Sequence, residues 1–166
     1  MEKWYDIIEP HEDIKKGDFD ESVFAADLGD VASGAAPADY ADPFLFFKKT
    51  YFTRGLTNLL IQVSSKLREG KGSSVIEIQT PFGGGKTHAL ISIYQYLKNG
   101  HKVEGLLPDG CERIDAKVTV VVGTHLNPLE GHERKRLHIN TLWGEIAYQL
   151  GGEAGYREFE KNDTEK

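Results

Sequence analysis

At 166 residues, 39% hydrophobic and 28% charged, the chain has the length and composition of a soluble globular protein with one sizeable core. Its apolar runs are far too short for a membrane span, its start "MEKWYDIIEP" has neither the basic nor the apolar part of a signal peptide, and the lone Cys111 excludes an internal disulfide and fits a reducing cytoplasm. The net charge of −6 is uneven: residues 1–47 hold twelve Asp/Glu against three Lys/Arg and residues 48–166 fourteen against seventeen, a balance that makes no strong case for direct nucleic-acid binding.

Residues 1–47 read as an acidic N-terminal leader or small subdomain. Within them "ESVFAADLGDVASG" suggests a short helix through Val23, Phe24 and Leu28, ending near Gly29 or Gly34. "GAAPADYADP", with Gly34, Pro37 and Pro43, reads as an irregular connection. The aromatic run Phe44, Phe46, Phe47, Tyr51 and Phe52 suits a core or a docking surface better than a stacking platform. From about Tyr51 to Leu67 the residues Leu56, Leu59, Leu60, Val63 and Leu67 recur at helical spacing. "EGKGSS" ends that helix, and Val75–Gln79 follows as a short β-rich run. Lys86–Lys98 returns to helical periodicity, with Leu90, Ile93, Tyr94 and Leu97 on one side and Gly100 as a left-handed cap. A loop with Pro108, Gly110 and Cys111 then leads to Val118–Val122, a run suited to a strand buried on both faces. A helix through Leu142, Trp143, Ile146, Ala147 and Leu150, closed by Gly151, precedes a charged tail expected to fray.

The order helix, strand, helix, strand, helix predicts an α/β fold: a parallel sheet flanked by helices. Between one strand and helix lies "TPFGGGKTH". A polyphosphate binds well where backbone N–H groups converge at a helix N-terminus beside a lysine. The usual spelling, G-x-x-x-x-G-K-[ST], is matched from Gly85 through Lys86 and Thr87, with Thr80 in place of the first glycine. Pro81 lacks an N–H and holds Thr80 extended, so the strand lengthens and the turn passes to Gly83, Gly84 and Gly85. The amides of Gly83–Thr87 would face the phosphates. Lys86 would neutralise phosphate charge and Thr87 would place its hydroxyl on Mg²⁺, while His88, next in the first helical turn, either tunes the site or, the more ordinary reading, is packed or solvent-facing.

Hydrolysis calls for an acid at the end of another strand, and Val118–Val122 ends in Gly123-Thr124-His125 without one. Thr124, His125 and Asn127 either face the ligand edge of the sheet or form a plain turn. "HERKRLH", with Arg134, Lys135 and Arg136 between His132 and His138, reads as a solvated loop or a phosphate contact. Thr53 and Arg54 are weaker candidates for the adenine side. The histidines His11, His101, His125, His132 and His138 show no metal-ligand spacing.

"PHEDI", "FAADL", "DPFLFFKKTYFTRGL", "QTPFGGGKTH" and "TLWGEIAYQLGG", in this order, resemble the large bacterial and archaeal proteins of domain-of-unknown-function family 499. The resemblance runs from about Trp4 to Gly152. It implies an AAA-type P-loop ATPase that uses ATP and Mg²⁺, with Thr80 a family trait and residues 48–166 the N-terminal portion of a P-loop NTPase core. It also implies that the Walker-B acids, sensors and finger residues lie beyond Lys166, so that this chain alone would hydrolyse ATP poorly. Partners implied are DNA-modification or helicase proteins in a phage-defence setting and further copies of the full-length protein, with no membrane. Two other readings stay open: a small P-loop phosphotransferase using Arg134–Arg136 as its phosphate clamp, and a non-catalytic, nucleotide-sensing interaction module.

Overall fold

The computed structural model describes residues 3–10, 12–17, 26–81, 83–127 and 129–165. Two short helices come first, α1 (Trp4–Ile7) and α2 (Glu12–Lys16). Helix α3 (Leu28–Ser33) follows, so only the second half of the expected early helix lies within the described residues, and Val23 and Phe24 fall outside them. Its start is fixed by the Asp27 carboxylate, which accepts from the N–H groups of Gly29 at 2.6 Å and Asp30 at 3.2 Å. Its end is fixed by Gly34 at φ 82°.

The Gly/Pro stretch expected to be irregular instead holds α4 (Ala38–Ala41) and starts α5 (Pro43–Lys49). Proline at the first helical position loses no hydrogen bond, and Asp42 caps it by accepting from Phe44 and Leu45. Helix α6 (Arg54–Glu69) begins at its Thr53 cap and stops at Gly70, φ 69°. It buries Leu56, Leu60 and Ser64, while Leu67 at the end of the expected stripe is half exposed. Helix α7 (Lys86–Asn99) packs the expected Ile93, Tyr94 and Leu97 half-buried against the core, but its most buried line lies beside them. Ile91, Ser92, Gln95 and Tyr96 are buried and Leu90 is exposed. Gly100 is right-handed (φ −50°, ψ −35°) and opens a 3-10 turn, Gly100–Lys102, so it is not the left-handed cap that was expected.

Helices α3, α5 and α6 all pack on α7. Val31, Phe46, Phe47, Leu56, Leu60, Ile91, Tyr96 and Val103 form the main core. Two of the polar groups buried with it are matched in place: Gln95 donates to the Tyr40 carbonyl at 2.5 Å and the Tyr96 hydroxyl to the Glu112 carbonyl at 2.6 Å. The aromatic run splits accordingly. Phe46 and Phe47 are core, Phe52 stacks on Phe47, and Phe44 and Tyr51 stay outside.

The described residues contain one sheet, the antiparallel pair β1 (His132–Arg134) and β2 (Leu137–Ile139). "HERKRLH" is thus a hairpin rather than a solvated loop, turning at Lys135 with φ 56°. Val75–Gln79 and Val118–Val122 are not hydrogen-bonded into a sheet. In the second of them, Val120 bonds to the side chain of Gln149 where a strand neighbour would bond. Gln149 accepts from the Val120 N–H and donates to the Val120 carbonyl, both at 2.8 Å.

The expected frayed tail is the second half of α8 (Leu142–Thr164), which continues past Gly151 and bends at Gly152 (φ 65°, ψ −153°). A straight helix of that length would hold its ends about 33 Å apart. The bend instead brings buried Asp163 back to the helix start. There it accepts from the Asn140 and Thr141 N–H groups at 2.8 Å, the Thr141 hydroxyl at 2.5 Å and the Tyr156 hydroxyl at 2.9 Å. Gly144 lies against the same carboxylate, so a side chain there would collide with it. Leu137, Ile139 and Tyr156 form a small core around this clamp.

Burial, then the hydrogen bond and charge of Asp163, push the Tyr156 phenol up to about 12. A phenol protonated more tightly in the folded than in the unfolded chain stabilises the fold fully below the unfolded value of about 10 and loses that contribution as pH rises towards 12. Unfolding in denaturant at pH 8 and pH 11.5 should therefore show an alkaline loss, on the order of 2 kcal/mol of it from Tyr156. In Tyr156→Phe the loss should be smaller by about that amount, the remainder coming from Tyr40, Tyr94 and Tyr96, which burial also raises; an equal loss in both proteins would exclude Tyr156 as a source.

Candidate functional site

The loop ahead of α7 closes through its own backbone and one lysine. Gly83 (φ 76°) and Gly85 (φ 76°, ψ 18°) occupy the left-handed region that other residues enter only with strain. Gly84 keeps a negative φ and serves differently. Its N–H donates to the Pro81 carbonyl at 3.1 Å, and the Thr80 side chain lies where a β-carbon on residue 84 would be. Of the amides expected to face a ligand, that of Gly84 is therefore engaged inside the loop. Thr80 folds over the glycines, and no ladder bond extends a strand through it.

Lys86 is the first residue of α7. Its ammonium donates to the Thr80 carbonyl at 3.1 Å, the Thr80 hydroxyl at 3.2 Å and the Pro81 carbonyl at 3.3 Å. Among the described residues no side chain caps the α7 N-terminus, so the positive end of its dipole lies at the exposed loop. Thr80, Gly83, Gly84, Gly85, Lys86 and Thr87 are all exposed, a concentration of donors open to an incoming anion.

His88 departs from that cluster. Its ring packs on Phe46 with centroids 4.8 Å apart, and its Nε2 lies 3.2 Å from the Thr50 hydroxyl. Thr50 already donates to the Phe46 carbonyl at 2.7 Å, so its oxygen accepts from an Nε2–H. Burial lowers the histidine's pKa, which keeps the ring neutral. His88 thus anchors the first turn of α7 to α5, and sequence spacing alone did not reveal Thr50 as its partner.

The remaining candidates lie elsewhere. Thr53 is taken up as the α6 cap, and Arg54 is exposed beside it. Gly123–His125 form a 3-10 turn, and Asn127 accepts from the N–H groups of Leu129 and Glu130. Among the described residues no hydrogen bond joins these to residues 80–88, and no trio of His, Cys, Asp or Glu is placed to hold a metal ion.

A second polar centre was not foreseen from the sequence. Glu145, only 1% exposed, accepts from His132 Nε2 at 2.7 Å, Arg134 Nη2 at 2.6 Å and Nε at 3.1 Å, and Gln149 Nε2 at 2.5 Å. Burial opposes its ionisation, but the bonds from Arg134, Gln149 and His132 outweigh burial and hold the carboxyl below its usual range. Arg134 is thereby engaged and cannot act as a free phosphate clamp; only Lys135 and Arg136 at the hairpin tip remain outward. Glu145 floors a cavity of about 510 Å³ lined also by α3, Val120–Val122 and Tyr148.

These features define a chiefly helical domain that carries an exposed glycine loop at the head of a long helix. The chain belongs to the DUF499 family: residues 3–107 match the DUF499 N-terminal domain. The match takes in the whole loop and α7 and ends before the Glu145 centre. No curated protein and no solved structure matches the chain. No helix among the described residues is long and apolar enough to cross a membrane.

Proposed function

We propose that the 80–88 loop binds the triphosphate of ATP with Mg²⁺, as the P-loop of an AAA-type ATPase acting in the cytoplasm with DNA-modification or helicase partners. The observation that carries this reading is the position of Lys86. Its ammonium rests on three oxygens of an exposed glycine loop at an uncapped helix start. Phosphate oxygens are stronger acceptors than those carbonyl and hydroxyl groups and can take their place without the lysine leaving the loop. The donor set fits the group: the first-turn amides of α7 and Lys86 would hold phosphate, and the exposed Thr87 hydroxyl would serve Mg²⁺. His88 supports the site from the core side.

The parallel sheet belongs to this proposal: Val75–Gln79 and Val118–Val122 are its strands in the complete nucleotide-binding core. Among the described residues no carboxylate bonds to the loop, so the reading assigns nucleotide binding and names no catalytic base. Calorimetry with a non-hydrolysable ATP analogue, with and without Mg²⁺, tests it. Lys86→Ala is expected to weaken binding by at least about tenfold, the loss of a charge-assisted contact worth about 1.5–3 kcal/mol. Equal binding by the two proteins would refute the assignment.

A further inference from the structure

We infer that two copies of this chain pair antiparallel through one edge of the 118–122 segment, the edge that carries the main-chain groups of Thr119 and Val121. Gln149 marks the opposite edge. Its amide accepts from the Val120 N–H and donates to the Val120 carbonyl, both at 2.8 Å, so the two groups of Val120 point to the same side, as they do in a strand. In extended chain the residues before and after point their groups the other way. Among the described residues nothing bonds to the N–H or carbonyl of Thr119 or Val121. Unpaired main-chain groups are costly away from water, so this edge needs either solvent or a second strand. Helix α8 thus seals one edge of the segment and leaves the other as a template for pairing.

The open row is complementary to itself. A twofold axis through Val120 sets Thr119 against the second copy's Val121, and Val121 against its Thr119. Each of these is a hydrogen-bonded pair that exchanges two bonds, while the two Val120 residues face each other as a non-hydrogen-bonded pair and keep their bonds to Gln149. Residues 118–122 are four valines and a threonine, the β-branched types that favour strands. Edge strands are usually guarded by charge, and this row holds none. Its flanking cation, Lys117, is drawn to α8, where it donates to the Leu150 carbonyl at 3.0 Å. In the paired register Lys117 stands opposite Gly123, so no like charges meet.

Sedimentation velocity from about 5 to 500 µM should show a monomer giving way to a dimer, weakly, as befits a small interface. With rising concentration, amide exchange should slow at Thr119 and Val121 and stay unchanged at Val120, whose N–H is already taken. Val121→Pro deletes a pairing donor, a change that an edge tolerates, and should stay monomeric with Val120 still protected. Val120→Lys and Val120→Glu should each stay monomeric, and their equimolar mixture should dimerise, because the two side chains stand directly opposite. A wild type that is monomeric throughout, or a dimer that survives Val121→Pro, overturns the pairing. Charge-swapped variants that stay apart when mixed overturn its register.

Discussion

Asp163→Ala is expected to lower the free energy of unfolding by about 3–5 kcal/mol, a large share of the roughly 5–15 kcal/mol that holds a domain of this size together. The carboxylate is fully buried and serves the Asn140 and Thr141 amides together with the Thr141 and Tyr156 hydroxyls. Removing it leaves those donors without an acceptor, and each such buried group costs about 1–3 kcal/mol unless water reaches it. It also releases the far end of α8 from its start, and amide exchange at Asn140 and Thr141 should accelerate with the loss of stability. Asp163→Asn keeps the volume but turns an N–H₂ towards existing donors, so it should fall between wild type and alanine. The pH dependence carries a sign. Burial pushes the Asp163 pKa up, but the bonds from Thr141, Asn140 and Tyr156 bring it below the usual value. Its contribution is therefore present above the unfolded pKa of about 3.9 and lost as pH falls through the lower folded value. Denaturant melts of Asp163→Ala within about 1 kcal/mol of wild type would show that the two halves of α8 are not held this way.

Glu145→Ala should cost about 2–4 kcal/mol, less than Asp163→Ala because Arg134 is half exposed and can regain water. The distinctive effect is local. Gln149 is bonded at once to Glu145 and to Val120, so losing the carboxylate frees the amide that holds the 120 segment. Faster exchange at the Val120 amide than global unfolding predicts is the expected signature. Glu145→Gln keeps one acceptor oxygen but turns an N–H₂ towards donors on the other side, so it should fall between wild type and alanine. Unchanged Val120 protection in Glu145→Ala would separate the glutamine bond from the carboxylate cluster.

Much of the helical part was legible because each boundary has a local chemical cause. Thr53 and Gly70 bracket α6, and the Lys86 start of α7 follows directly from its glycines. The turn ahead of α7 was legible for the same reason, since its glycines supply the left-handed positions at Gly83 and Gly85. What escaped depends on partners distant in sequence. His88 read as a packed or solvent-facing histidine more readily than as part of the site, and only Thr50, 38 residues away, shows what it packs with. Glu145 and Gln149 read as polar positions on an amphipathic helix, and only the hairpin and the 120 segment make them a buried centre. Gly152 was passed over for Gly151, and the charged tail gave no apolar signal because its anchor is an aspartate.

Lys86 has one further consequence. Because its ammonium is already coordinated by the loop, any anion entering there performs a ligand exchange on a cation rather than filling a void. On the phosphate reading, the affinity for that anion would be the difference between two solvation shells of the same ammonium, one made of peptide and hydroxyl oxygens and one of the anion's. Weakening the first shell would then strengthen binding with no new contact to the ligand, so Thr80 would tune affinity through the oxygens it gives up.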